Sequence, residues 1–359
     1  MITRIEDVAR EAGVSTATVS RAPRGLPNVS AATRATVNRV AADLGYVVSR
    51  TASTLASGRT LTVAVISPFM ERWFFSQLIA AVEGRLRDNG FDALLIGLRQ
   101  PDSGQREPFE PETLRGRADA VVVLTVPLTG SELDGLRRLG LPTVYVGASI
   151  GGSMSVRIDD VAVARTATEH LLQLGHTQIA YVGGDPQQRL NFSAPADRRA
   201  GWMATMRGAG LDPAPEYDVP GRFTAAGGVA AGEQLLSLRH PPTAVFAASD
   251  EMAFGVLAAA AAAGVAVPGR LSVIGVDGHE LSPLVGLTTV SQPVADQGQL
   301  AAEMVLEALA GEQLRRHEHV VVPVHLQLGR TTAEVPCAPT LALSVGPPVE
   351  PGDVFVTRS

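Results

Sequence analysis

From residue 61 onward the chain consists of short apolar runs separated by longer amphipathic stretches, and this alternation restricts the fold more than any other feature of the sequence. The runs are Leu61 to Ile66, Ala93 to Ile96, Ala120 to Leu124, Thr143 to Val146, Ile179 to Val182, Ala244 to Ala247 and Leu271 to Val276. Such runs have the texture of parallel strands buried on both faces. Between them, helical spacing of apolar residues predicts helices over Phe75 to Asn89, Val161 to Leu174, Arg198 to Ala209, Ala225 to Leu238 and Met252 to Ala263. Strand and helix in regular alternation give a doubly wound α/β architecture. Two successive sets of about five such units make two similar lobes, with a ligand crevice at the carboxyl ends of the strands.

Composition removes several classes of function. A chain of 359 residues, 45% of them hydrophobic, is too long for one ordinary core and predicts about two or three domains. No stretch approaches the roughly 20 consecutive apolar residues of a membrane span. Met1 to Arg10 carry charges where a secretory leader is apolar, so a cytoplasmic protein is expected. Cys337 is the single cysteine, which rules out an internal disulfide and a CxxC pair. His170, His176, His240, His279, His317, His319 and His325 are scattered, and no metal site or cofactor is predicted. All 30 basic residues are arginine, so Schiff-base catalysis and the lysine of a GxxxxGK[ST] phosphate loop are both excluded.

The net charge of −6 conceals an asymmetry. Residues 1–60 hold eight arginines against four acids, a balance of +4, and the remainder carries −10. Only the amino-terminal segment has the sign suited to a polyanion. There, Thr3-Arg4-Ile5-Glu6 forms a capping-box pattern, and Ile5, Val8, Ala9 and Ala12 recur at helical spacing. Gly13 supplies a turn, and Ser15 caps a second helix through Thr16-Ala17-Thr18-Val19-Ser20-Arg21. In a helix-turn-helix unit the second helix enters the major groove. Thr16, Ala17 and Ser20 then approach base edges and phosphates closely, and Arg21 reaches guanine or phosphate. A third helix starts at Ser30, carries Val37, Val40, Ala41 and Leu44 on one face and ends at Gly45, leaving Arg34, Arg39 and Tyr46 for backbone contacts. The plainer alternative is a small helical bundle whose arginines form a solvated face.

The string from Ile5 through Ala12-Gly13-Val14-Ser15 to Arg21 closely resembles the headpiece of the lac repressor and galactose repressor family. The resemblance runs on through Asn28-Val29-Ser30 and Leu44-Gly45-Tyr46 into Arg50 to Gly58, where that family carries a hinge helix. It implies an all-α helix-turn-helix headpiece over residues 1–48, a hinge over 49–59, and DNA contacts from Thr3, Ser15, Thr16, Ala17, Thr18, Ser20, Arg21, Arg24, Asn28, Ser30, Tyr46 and Leu55. Leu55 stands where a leucine of the paired hinge helices wedges into the minor groove and kinks the DNA. Read without the family, residues 49–59 are a Ser/Thr/Ala-rich linker. Pro23 departs from the family, which usually has a branched apolar residue there. It predicts an early stop to the second helix, with Arg24 still near the phosphates, or a weakened headpiece core.

Residues 60–335 resemble the same family's two-lobed effector and dimerisation core, a design shared with periplasmic sugar-binding proteins. The matching strings include Val156 to Asp160, Ile179 to Gly184, Val273 to Asp277 and Leu287 to Pro293. By position the resemblance implies that Arg198, Ser249, Asp250 and Asp277 read the effector's polar groups and that Phe223 stacks on a sugar ring. Asp250 as a helix cap and Phe223 as ordinary core are the alternatives. Phe69 and Phe74 wall the cleft, with Pro68 and Trp73, or pack at a dimer surface. Gly147 stands where some members carry an acidic ligand, so a lac-type galactoside is not implied.

The expected protein is thus a transcription regulator, a repressor, that binds operator DNA as a homodimer or a dimer of dimers and responds to a small-molecule effector, a sugar. Two other readings are open. One is a sugar-binding module without DNA-binding activity. The other is a hydrolase, because Gly147-Ala148-Ser149-Ile150-Gly151 fits the GxSxG elbow, although no helix is predicted after it. Residues 336–359 are Pro-rich, lack heptads and are expected to form a loosely ordered extension.

Overall fold

The computed structural model describes residues 3–22, 29–46, 59–98, 107–126, 128–148, 153–184, 193–311 and 319–335. The expectations for Pro23, Arg24, Asn28, Leu55 and the rest of the hinge, for Ser149 and for the carboxy-terminal extension lie outside these residues.

Three helices form the amino-terminal unit: α1 (Ile5–Ala12), α2 (Thr16–Arg21) and α3 (Ala31–Asp43). Gly13 takes the left-handed conformation, φ +66°, in which a side chain is strained, and so ends α1 sharply. Ser15 and Ser30 cap α2 and α3, their hydroxyls accepting from Thr18 N at 3.2 Å and Thr33 N at 3.1 Å. Val8, Val19, Ala22, Val37 and Val40 are buried together. The cap of α1 differs from expectation by one residue. Arg4 is the N-cap, and it is Asp7, not Glu6, whose carboxylate accepts the cap's backbone N–H at 3.0 Å. Thr3 therefore caps nothing; its hydroxyl donates to Leu44 O at 2.8 Å and ties the chain start to the end of α3. Leu44, expected on the core face, is exposed.

The larger unit contains two six-stranded sheets. In chain order its elements are β1 (Thr62–Ser67), α4 (Trp73–Asp88), β2 (Asp92–Gly97), β3 (Ala120–Leu124), α5 (Gly130–Leu139), β4 (Thr143–Val146), β5 (Met154–Arg157), α6 (Asp160–Gln173), β6 (Ile179–Gly183), α7 (Ser193–Gly208), β7 (Asp218–Pro220), α8 (Ala225–Leu236), β8 (Ala244–Ala247), α9 (Asp250–Ala262), β9 (Ser272–Asp277), α10 (Ser282–Val285), β10 (Thr288–Ser291), α11 (Val294–Ala310), β11 (His319–Val321) and β12 (His325–Gln327). The first sheet runs β11-β5-β4-β3-β1-β2, all parallel, and the second β12-β10-β9-β8-β6-β7, parallel except for β12. Each central strand is buried along its length, as the continuous Val, Ala and Ile runs require.

The seven expected strands and five expected helices are present, with ends shifted by a few residues. The extended run expected after Gly152 is β5; sequence periodicity missed β7, β10, β11 and β12, which are three or four residues long and carry polar side chains, and also α5, α10 and α11. The larger correction concerns the order of assembly. The two lobes are not successive stretches of chain: after β10 the chain returns, so that α11 packs against α4 and β11 joins the edge of the first sheet. Gly298 permits that packing, since a Cβ there would meet Leu78 O of α4 at 2.8 Å. The backbone thus passes between lobes three times, after β5, β10 and β11. In each sheet the first strand sits between the second and the third, β2-β1-β3 and β7-β6-β8. The switch point of a doubly wound sheet therefore opens a crevice at the carboxyl ends on both sides of the same gap.

Candidate ligand cleft and nucleic-acid interface

Strand ends and helix starts of both sheets supply the walls of that gap. Phe69, Arg72, Phe74 and Phe75 come from the connection after β1 and the start of α4, and Thr125 and Gly147 follow β3 and β4. On the opposite side stand Asp160, Pro195, Arg198, Phe223, Ser249, Glu251 and Asp277, with Gln292 and Gln297 at the second crossing. The structure thus places Phe69, Phe74, Arg198, Phe223, Ser249 and Asp277 around one cavity. Mostly apolar walls with a few convergent polar groups are the usual make-up of a small-molecule site.

Arg198 is the centre of the polar floor. Its side chain is buried, donates from Nε to Asp160 Oδ1 at 2.8 Å and from Nη1 to Ala248 O at 2.5 Å, and stands 3.9 Å from Asp277 Oδ1. Asp159 caps α6 by accepting from Ala162 N at 3.0 Å, which leaves the adjacent Asp160 for Arg198. Asp277 ends β9 with φ +121° and accepts from Gln292 Nε2 at 2.7 Å; Gln297 Nε2 donates in turn to Gln292 Oε1 at 2.9 Å. Burial pushes the Asp277 carboxyl up to about 8, against the pull of Arg198.

Asp250 does not line the cleft. It is wholly buried at the start of α9 and accepts from Thr289 Oγ1 at 2.7 Å, His279 N at 2.7 Å and Ser282 Oγ at 2.8 Å. These donors all come from its own lobe, so it acts as a tie between α9, the turn after β9 and β10. Burial pushes it up to about 6 while those hydrogen bonds hold it down. The cap of α9 is Ser249, accepting from Met252 N at 3.3 Å, although that residue also borders the cavity. Phe223 and its neighbour Arg222 both hold positive φ, +53° and +57°, beside Pro195 and Gly184.

The sequence alone gave no role to Arg72, Thr125, Asp160, Glu251, Gln292 or Gln297. Asp160 and Glu251 read as ordinary acids at helix starts, and the crossing that brings Gln292 and Gln297 to the cavity is a tertiary feature. The Arg72 guanidinium lies 3.5 Å over the Phe69 ring, a cation–π contact. The lobes also touch directly, where the Trp73 and His279 rings lie with centroids 4.5 Å apart and planes inclined by 30°.

In the amino-terminal unit, α2 turns Val19 inward and leaves Thr16, Ala17 and Arg21 exposed, with Ser20 and Thr18 half-buried beside them. The hydroxyls of Ser15 and Thr18 lie 2.9 Å apart and those of Ser30 and Thr33 2.8 Å apart, so Ser15 and Ser30 are first of all caps. Tyr46 packs partly against the three-helix core. Arg39 pairs with Asp43 at 3.4 Å on the surface of α3.

A three-helix unit with an exposed capped second helix, joined to two doubly wound lobes around a cleft, defines a ligand-responsive DNA-binding architecture. Residues 4–49 match the model of the bacterial regulatory proteins of the lacI family, and residues 168–332 match a periplasmic binding protein-like domain. Catabolite control protein A of Priestia megaterium is 34% identical over 316 residues, covering 86% of this chain and 93% of that protein. Among solved structures, the lac repressor dimer bound to operator and the anti-inducer ONPF superposes with a TM-score of 0.80 at 27% identity, covering 93% of this chain and all of that one. A complex of the transcriptional regulator CelR with cellobiose gives 0.65 at 30% identity, covering 92% and 99%. The chain belongs to the lacI family of bacterial regulatory proteins.

Proposed function

We propose that this protein is a sequence-specific transcriptional repressor that binds operator DNA as a homodimer and releases or tightens its hold when a carbohydrate enters the cleft. The observation that carries the carbohydrate reading is the cleft itself: the rings of Phe69, Phe74 and Phe223 line one cavity with the buried Arg198 and Asp277. Rings that cover apolar C–H faces, beside donors and acceptors for hydroxyls, are what a sugar requires. The relatives' ligands, cellobiose and ONPF, support that class.

Thr16, Ala17, Ser20 and Arg21 on the open face of α2 are the residues we assign to base and phosphate contacts, and the dimer sets the spacing of the two half-sites. Ligand closure of the lobes changes how the two headpieces are presented, and by linkage the ligand alters DNA affinity by the factor by which DNA alters ligand affinity. No catalytic step is assigned. The hydrolase elbow needs a helix after its serine, whereas the next described element is the strand β5.

The test is selection of bound fragments from a genomic DNA library at two salt concentrations, with and without a panel of sugars. The expected outcome is enrichment of a palindromic site whose recovery falls at high salt and changes with one sugar. A folded protein that enriches no site would sink the DNA-binding reading; an enriched site indifferent to every sugar would sink the carbohydrate one.

A further inference from the structure

Two ionisable groups on the cleft wall are not used by the Arg198 floor. Arg72 precedes α4 on one lobe and Glu251 lies in the first turn of α9 on the other. Among the described residues neither side chain has a hydrogen-bond or ion-pair partner. Arg72 has only the Phe69 ring beneath it. Both are half-buried, so water only partly solvates them, and both line the same cavity from different lobes. Burial pulls Arg72 below the ordinary guanidinium range and pushes Glu251 above the carboxylate range. A half-desolvated donor set opposite a half-desolvated acceptor, each without a partner, is an arrangement completed by a molecule between them.

The charge inventory selects the kind of molecule. Arg72 and Arg198 are the cations on the described wall, against Asp160, Glu251 and Asp277. Arg198 is already committed to Asp160 and Ala248 O. An anionic ligand therefore finds no uncommitted cation except Arg72, and that one looks across at a carboxylate. Even with Asp277 protonated the wall carries no net positive charge. A neutral ligand with hydroxyls on both sides meets a five-donor fork on one lobe and an acceptor-only carboxylate on the other.

We propose that Arg72 and Glu251 form a second polar reading point that grips hydroxyl groups of an uncharged sugar from opposite lobes and so selects neutral sugars over sugar acids. Because the grip spans both lobes, it contributes to ligand affinity only when the cleft is closed, which places it where binding is converted into movement. This assignment rests on the carbohydrate reading given above.

The test uses the full-length protein and titration calorimetry with glucose, galactose, ribose and cellobiose, and with glucuronate and galacturonate as acids. The variants are Arg72→Met, Glu251→Gln and, as a control on the surface of α4 outside the cleft, Arg87→Met. The expected result is at least tenfold tighter binding of one neutral sugar than of either acid. Arg72→Met and Glu251→Gln should each lose at least tenfold for that sugar, with Arg87→Met unchanged and the unliganded melting of all three close to wild type. A wild type that binds a neutral sugar while both cleft variants keep its affinity overturns the proposal alone. So does a preference for the acid that Glu251→Gln strengthens. A wild type that binds none of the sugars removes the carbohydrate reading and this proposal with it.

Discussion

At the scale of the residue, Arg198 and Asp277 are buried ionisable groups at the floor of the cleft. Arg198 is 6% exposed and tied to Asp160 and Ala248 O, so Arg198→Met leaves Asp160 buried without its counter-charge. Breaking one side of a buried pair costs about 3–5 kcal/mol, and urea unfolding should show a loss of that order. A loss below about 1 kcal/mol would mean that water reaches Asp160. Asp277 makes a prediction in pH. Its folded value near 8 lies above the unfolded value of about 4, so the folded protein keeps a proton that the unfolded chain has released. The stabilisation from that proton is full at low pH and fades as pH rises through about 8. Asp277→Asn should therefore gain stability relative to wild type steadily from pH 5 to 8 and level off above. A flat difference across that range would show that Arg198 keeps the carboxylate ionised. Which of these residues touch the cleft was only partly legible. Arg198 and Asp277 came from the family strings, whereas Asp250 turned out to be consumed by Thr289, Ser282 and the His279 backbone. Nothing in the order Ser249-Asp250-Glu251 tells which of three adjacent polar residues faces in.

At the scale of the element, helix starts were the most legible feature. Ser15 caps as read, and Ser30, read as the start of the third helix, caps it in the same way, because a β-conformation serine three residues before a free N–H satisfies it locally. Thr3 failed because Asp7 offers a carboxylate at the competing position and Leu44 O lies within reach of the hydroxyl. Ser15→Ala should destabilise α2 by about 1 kcal/mol, read as faster amide exchange over residues 16–21 with the exchange of β8 and β9 unchanged. Equal protection in the variant would mean that packing of Val19 alone holds the helix. The strands that escaped notice, β7, β10, β11 and β12, are short and partly polar, and they form because neighbouring strands offer them a ladder.

At the scale of the whole molecule, charge and crossing topology decide behaviour. The +4 balance of residues 1–60 against −10 elsewhere directs a polyanion to the headpiece. DNA affinity should fall linearly in log–log salt plots, and Arg21→Ala should reduce the slope by about 1 if that side chain neutralises a phosphate. An unchanged slope with weakened affinity would assign Arg21 to a base instead. Three connections join the lobes, and the Trp73 and His279 rings meet across the gap with centroids 4.5 Å apart, so Trp73 is placed to report any closure of the cleft. Trp73 and Trp202 are the only tryptophans, and Trp202 is buried beneath Tyr181. Ligand-induced changes in emission and in acrylamide quenching should accordingly vanish in Trp73→Phe, and their persistence would place the motion elsewhere.

The sequence by itself determined the α/β class, the central strands, the helix-turn-helix unit and the starts of its second and third helices, since each is encoded in periodicity or in contacts between residues three or four apart. Tertiary structure decided how the lobes interleave, which of Ser249, Asp250 and Glu251 reach the cleft, and the placing of Arg72 and Glu251 on the wall of one cavity. Those depend on where segments far apart in the chain come to rest, Asp250 being tied to residues 29 to 39 positions away, and no local pattern in the chain records that.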